Sequence, residues 1–149
     1  MAPIEVSVDI ARPQDEVFAY VTDAARFAEW QVGVVSGYME DGAGTAVGSK
    51  CMTTRRIGGA EREVTAQITR LDPPRAWAVQ GIDGPIRANV NVTVEPLDAT
   101  TRSRVTIALD FEGRGIGKLL IPLIVRRQAR KEMPANIQRL KSRIEGTPS

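Results

Sequence analysis

Residues 4–10, IEVSVDI, set Ile4, Val6, Val8 and Ile10 against Glu5, Ser7 and Asp9. Strict alternation marks a strand with one greasy and one wet face. The period then changes. In RPQDEVFAYVT the positions Val17, Phe18 and Val21 make a helical stripe, Pro13 suits the first turn, and Asp15 and Glu16 oppose the positive end of the helix dipole. Asp23 is placed to cap a second short helix, AARFAEW, which ends near Trp30.

From there to Glu112 the chain reads as strands and turns. VVSGYME predicts a strand, followed by the loop DGAGTAVG. SKCMTTRRI and EREVTAQITRL flank Gly58-Gly59, a hairpin signal. The paired prolines of LDPPR stop one strand before AWAVQGI begins. IRANVNVTVEP sets Ile86, Ala88, Val90, Val92 and Val94 against Arg87, Asn89, Asn91, Thr93 and Glu95, and SRVTIALDFE repeats the pattern with Val105, Ile107, Leu109 and Phe111. One greasy face per strand describes an antiparallel sheet covered on one side. By the same parity Asp110, Glu112, Glu61 and Glu63 belong to the wet face.

The cover is expected from the segment between about Gly115 and Glu145. Met133, Ile137, Leu140 and Ile144 fall at helical spacing and make one stripe. In a straight helix Arg126 and Arg130 lie within about 60° of that stripe, on the side that Leu119 and Leu123 share. Pro122 and Pro134 lack an N–H, so a kink or interruption is expected, with Pro122 near the first turn. The order is strand, two helices, six strands and a long helix: an α+β chain, one domain over residues 1–149.

Composition narrows the chemistry. The chain has no histidine and one cysteine, Cys51. That excludes Ser-His and Cys-His nucleophile pairs, an internal disulfide, and zinc or iron sites built on histidine. No metal or cofactor is expected. The N-terminus lacks a signal-peptide pattern, and the most apolar run, GIGKLLIPLIV, is about half the ~20 residues of a membrane span. A soluble, cytoplasmic protein is the expectation. The net charge of +2 hides an asymmetry. Residues 1–112 carry 11 basic and 16 acidic side chains, residues 113–149 carry 9 and 2, so −5 faces +7. The basic excess is read either as a solvated helix face or as a site for an anionic membrane or acidic partner. Nucleic acid is the least favoured partner, because no stacking platform accompanies the charge.

The element order, with RPQDEVFAYVTD, Trp30, Val47-Gly48 at a strand start, LDPPRAW and the closing LKSRIE, resembles the START-like superfamily, also called SRPBCC or Bet v 1-like. The nearest branch is the polyketide cyclase/dehydrase and lipid-transport group. The resemblance implies a helix-grip: a curved antiparallel sheet of about seven strands wrapped around the C-terminal helix, two short helices between strands 1 and 2, and a cavity between sheet and helix. Fold alone names no chemistry.

Strand parity offers Val64, Ala66 and Ile68, Trp77 and Val79, Val90 and Val92, and Ile107 and Leu109 as the wall. Small and β-branched residues there either close into a core or leave a void. Trp30, Tyr38, Met52 and Met133, with Leu119 and Leu123, complete the candidate lining. Tyr38 is placed beside Trp30 or else in the core. Arg126 and Arg130 run along the rim, or one enters to bind an oxyanion or pair with an inward acid; Arg62, sharing parity with Val64, is the other candidate. A carrier of a small hydrophobic ligand (lipid, isoprenoid or aromatic polyketide) is the leading expectation. An aromatase/cyclase-like enzyme and a partner-binding module using the basic helix are the alternatives. Oligomeric state is left open.

Overall fold

The computed structural model describes residues 3–40, 46–57, 59–83, 86–98, 101–113 and 121–146; the side chains at 57, 86 and 121–124 lie outside the description. Strand β1 (Ile4–Ile10) is followed by α1 (Gln14–Val21), a 3-10 turn (Ala24–Arg26) and α2 (Phe27–Trp30). Six strands come next: β2 (Val34–Met39), β3 (Lys50–Ile57), β4 (Ala60–Asp72), β5 (Ala76–Gly81), β6 (Ile86–Pro96) and β7 (Ser103–Gly113). The last element is α3 (Ile121–Glu145). This is the α+β helix-grip order that the hydrophobic pattern and the resemblance led us to expect.

The seven strands form one curved antiparallel sheet in the order β1-β7-β6-β5-β4-β3-β2. Every neighbour from β2 to β7 is also a neighbour in sequence. Only β1 travels, pairing with β7 from Ile4↔Leu109 to Ile10↔Ser103. Two register shifts, between Val34 and Ser36 and between Ile68 and Arg70, each add one residue to a strand. Such bulges increase local bend and twist, which a sheet needs in order to curl round a helix.

The interior follows from parity. Val8, Ile10, Val105, Ile107, Val92, Val94, Trp77 and Ile68 are buried in one cluster with Val17, Phe18, Val21 and Phe27 from the short helices. Asp23 caps the 3-10 turn, its carboxylate accepting the Ala25 N–H at 3.0 Å. Helix α3 lays Ala129, Met133, Ile137, Leu140 and Ile144 against this cluster. Leu140 is fully buried, a side chain worth about 1.5–3 kcal/mol on transfer from water.

Of the two outcomes expected at Pro134, kink or interruption, interruption does not occur; the helix runs from Ile121 to Glu145 through it. Pro134 is exposed. An exposed position suits the missing N–H, since a carbonyl freed on the solvent side of a helix is open to water. Pro122 sits in the first turn, as expected. The expected short segment at 115–120 lies outside the described residues.

The C-terminal end of α3 is fastened to β1 by polar contacts. Ala11 N–H donates to Glu145 Oε2 at 2.8 Å, and Lys141 Nζ donates to the same oxygen at 3.0 Å and to the Asp9 carbonyl at 2.6 Å. Arg12 donates to the Glu145 carbonyl at 2.8 Å. The Ala11 N–H first, then Lys141, hold the Glu145 carboxyl below its usual range. Midway along, the Val32 N–H donates to Asn136 Oδ1 at 3.0 Å.

Candidate functional site

The concave face of the sheet is unevenly filled. Toward the end carrying Ile10 and Ser103, the facing residues Val8, Val105, Val94, Val92, Ile107 and Trp77 are buried. Toward the other end, the cross-strand row Ile4, Leu109 and Val90 is only half-buried, and so are Phe111, Ala88, Ala66 and Val64. These residues share parity with the buried ones, so they face the helix and yet keep part of their surface. Half-buried apolar residues on a concave face are the kind of lining a small-molecule site uses.

The expected wall therefore lies on one face: Val64, Ala66, Ile68, Trp77, Val79, Val90, Val92, Ile107 and Leu109 all point to the helix side. Trp30 and Met133 are buried there too. Phe27 lies edge-on to both tryptophans, with ring centroids 6.1 Å from Trp30 and 6.2 Å from Trp77. Both indole Nε1 groups are buried and have no acceptor among the described residues. Leu119 and the side chain of Leu123 lie outside the described residues.

Two placements need correction. Tyr38 is 52% exposed and points off the convex face. The bulge at Val34/Ser36 sets the parity of β2 so that Gly37 and Met39 face inward, and Gly37 approaches the 3-10 turn so closely that a Cβ there would sit 2.4 Å from the Ala24 carbonyl oxygen. Met52 pairs across to Tyr38 and Thr65 and shares their convex side, leaving Cys51 and Thr53 as the buried residues of β3. Arg130 is exposed, as is Arg62. At 100° per residue Arg126 lies about 20° from the mean direction of the buried stripe and Arg130 about 60°, so only Arg126 enters.

Arg126 is 3% exposed and donates to Asp110 Oδ1 at 2.6 Å. Asp110 was expected on the wet face. It lies one residue beyond Leu109, the last β7 residue paired with β1. With no β1 partner beside it, its carboxylate turns round the strand edge toward α3, where it also accepts the Phe111 N–H at 2.9 Å.

The cation that sequence reasoning missed is Arg55. Its Nε donates to Thr53 Oγ1 at 3.1 Å and its Nη1 to Gln31 Oε1 at 3.5 Å, both neutral acceptors. Among the described residues it forms no salt bridge; Glu132 of α3 and the Cys51 thiol act on it only through space. Burial lowers the Arg55 pKa, and burial likewise raises that of Cys51, with Arg55 opposing the shift. The signal was available. The pairing of Ile57 with Ala60 sets Arg55 directly opposite Arg62, on the face that carries Val64.

The arrangement can hold an apolar body against half-buried aliphatic residues and offer it donors: a guanidinium and two indole N–H groups. Among the described residues no cluster of three acidic, cysteine or histidine side chains could hold a metal ion, and no helix is long and apolar enough to cross a membrane. An open groove of about 410 Å³ lies elsewhere, at the far end of the sheet beside Gln14, Arg70, Asp72, Arg75 and Thr93.

A family model described as polyketide cyclase / dehydrase and lipid transport matches residues 1–145. The uncharacterized protein Rv0088 of Mycobacterium tuberculosis is 37% identical over 112 residues, 73% of this chain and 47% of that protein, so the chain spans about half the length of this relative. Among solved structures, the di-domain ARO/CYC BexL from the BE-7585A biosynthetic pathway superposes with a TM-score of 0.75 at 18% identity, covering 97% of this chain and 47% of BexL. A START superfamily protein from Mycobacterium smegmatis gives 0.71 at 14% identity, covering 98% and 99%. These structural likenesses show the fold. Taken with the family match along nearly the whole chain, the curved seven-stranded sheet and its long helix place this chain in the polyketide cyclase/dehydrase and lipid-transport family of the START-like superfamily.

Proposed function

We propose that the chain binds a small hydrophobic molecule bearing one acidic or enolic oxygen, with its apolar body against Ile4, Val90, Leu109 and Phe111 and its oxygen at Arg55. The observation that carries this reading is Arg55, half-buried on the helix side of the sheet and hydrogen-bonded, among the described residues, only to neutral acceptors. A cation partly withdrawn from water loses hydration that something must offset, and a ligand oxyanion would do so with a charge-assisted hydrogen bond. The two indole donors without an acceptor among the described residues support the same reading, since a buried N–H left unpaired costs about 1–3 kcal/mol.

Carriage without chemistry is the leading form of this proposal. A cyclase-like reaction is the second reading, favoured by the same residue: a guanidinium beside a bound poly-carbonyl compound would stabilise an enolate as it forms. The test is displacement of a fluorescent fatty acid by a matched pair, a long-chain acid and the alcohol of equal length, together with native mass spectrometry of the purified chain. The acid is expected to bind at least tenfold more tightly. Equal binding of acid and alcohol would remove Arg55 from the proposal, and no binding of any apolar probe would defeat it.

A further inference from the structure

We infer that the first described turns of α3 dock the protein on an anionic lipid bilayer through Arg127, Arg130 and Lys131. All three are exposed, and none has a hydrogen bond or ion pair among the described residues. Their situation differs from most cations of the molecule. Arg12, Arg26, Arg56, Arg75, Arg104 and Lys141 each lie within reach of a carboxylate. Lys50, Arg62 and Arg70 also stand apart on the sheet, but scattered, Lys50 on β3 and the two arginines on β4, which carries Glu61, Glu63 and Asp72.

Nothing on these turns of α3 neutralises the trio. Glu132, the acid nearest in sequence, takes a hydrogen bond from Gln128 and acts through space on Arg55. The cluster sits at a defined place. Arg126, on the inner side of the same turn, is clamped to Asp110, so these turns lie against the end of β7 that carries the half-buried Leu109 and Phe111. Three unmatched cations thus flank the incompletely covered end of the apolar wall. Arg139 and Arg143 are exposed too, but lie farther along α3, beside the filled end.

Charge complementarity alone would suit any polyanion. The choice of a bilayer rests on two further facts and, for the second, on the ligand-binding reading above. Helix α3 contains no aromatic side chain on which bases could stack. An apolar ligand leaving a chamber at that end would pass directly into the lipid phase. A Lys or Arg held at an anionic leaflet strengthens binding about fivefold, so three together contribute roughly a hundredfold.

The experiment is flotation of the full chain with vesicles of phosphatidylcholine alone and of phosphatidylcholine with one-third phosphatidylglycerol. The variants are Arg127→Gln/Arg130→Gln/Lys131→Gln and, as control, Arg139→Gln/Arg143→Gln. Binding is expected only to the anionic vesicles, reduced roughly a hundredfold in the triple variant, by less than about threefold in the control, and suppressed by high salt. Absence of anionic dependence, or equal losses in both variants, would overturn the proposal. So would homopolymeric RNA binding as tightly as vesicles through the same three residues. Fatty-acid probe binding measured without vesicles, on each variant, separates the two readings. A probe that binds while vesicles do not defeats the docking surface alone; loss of both defeats the chamber as well.

Discussion

Replacing Arg55 with Met should move stability and affinity in opposite directions. Arg55 makes two hydrogen bonds to neutral acceptors, one of them long at 3.5 Å. Their loss costs about 1–2 kcal/mol, the longer bond counting less. Against this, burial disfavours the charged form of Arg55, and exchanging buried ionic groups for apolar ones of similar volume stabilises by about 1–4 kcal/mol in proteins where it has been tried. The net expectation is a gain of about 1 kcal/mol in the free protein. For 149 residues that raises Tm by about 2–4 °C. A ligand carboxylate, however, would lose a charge-assisted bond worth about 1.5–3 kcal/mol, or roughly 10–150-fold in Kd. Thermal unfolding by circular dichroism and displacement titrations with a long-chain acid and its alcohol read the two effects separately. The alcohol should change by less than about threefold. A variant that melts lower than the parent, or that loses acid and alcohol affinity equally, would refute the idea that Arg55 is a cation held for a ligand.

Further outcomes follow from other contacts. Gly37→Ala puts a Cβ 2.4 Å from the Ala24 carbonyl oxygen; the backbone must give way, at about 2–3 kcal/mol, and urea unfolding should show it. Leu140→Ala removes a fully buried side chain under α3 and should cost about 2–5 kcal/mol by the same measurement. Glu145 has a folded-state pKa below its ordinary 4.5. Its contribution is therefore complete above that value and is lost as pH falls through the lower, folded one. Stability measured from pH 6 downward should accordingly fall less steeply in Glu145→Gln. Cys51 is 3% exposed with its thiol pKa raised by burial. It should resist iodoacetamide in the native protein and react on unfolding, since the thiolate is the reactive form.

Much of the fold was legible because each strand alternates cleanly and each short helix announces its start. Ile4 to Ile10, Val90 to Val94 and Val105 to Leu109 turned to the helix as their parity required. The misplaced residues cluster where parity is reset or evaded. Tyr38 depends on a bulge at Val34/Ser36, and one extra residue reverses every later side chain of that strand; Met52 simply shares the convex parity of Thr65. Asp110 evades parity because its strand loses a neighbour there, so a carboxylate assigned to water reaches an arginine. The depth of Arg126 rests on that acid, 16 positions away, and no local pattern reports such a partner. Arg55 was different. The register of β3 on β4 sets it opposite Arg62 and on the face of Val64, a placement that strand parity alone makes readable.

The position of β1 has a consequence for how the molecule is made. Five of the six strand pairs join neighbours in sequence and can form as the chain lengthens. The sixth joins Ile4 to Leu109, 105 positions apart, and α3 then packs on the same first strand. Closing so long a loop early carries an entropic cost with little return. The first strand therefore waits, with its alternating apolar face uncovered, until the seventh strand and the helix have emerged. Before that moment no helix lies against the concave face of the sheet. The ligand proposed above would find its wall complete only once α3 has packed, and a chain stalled within β7 should bind no apolar probe.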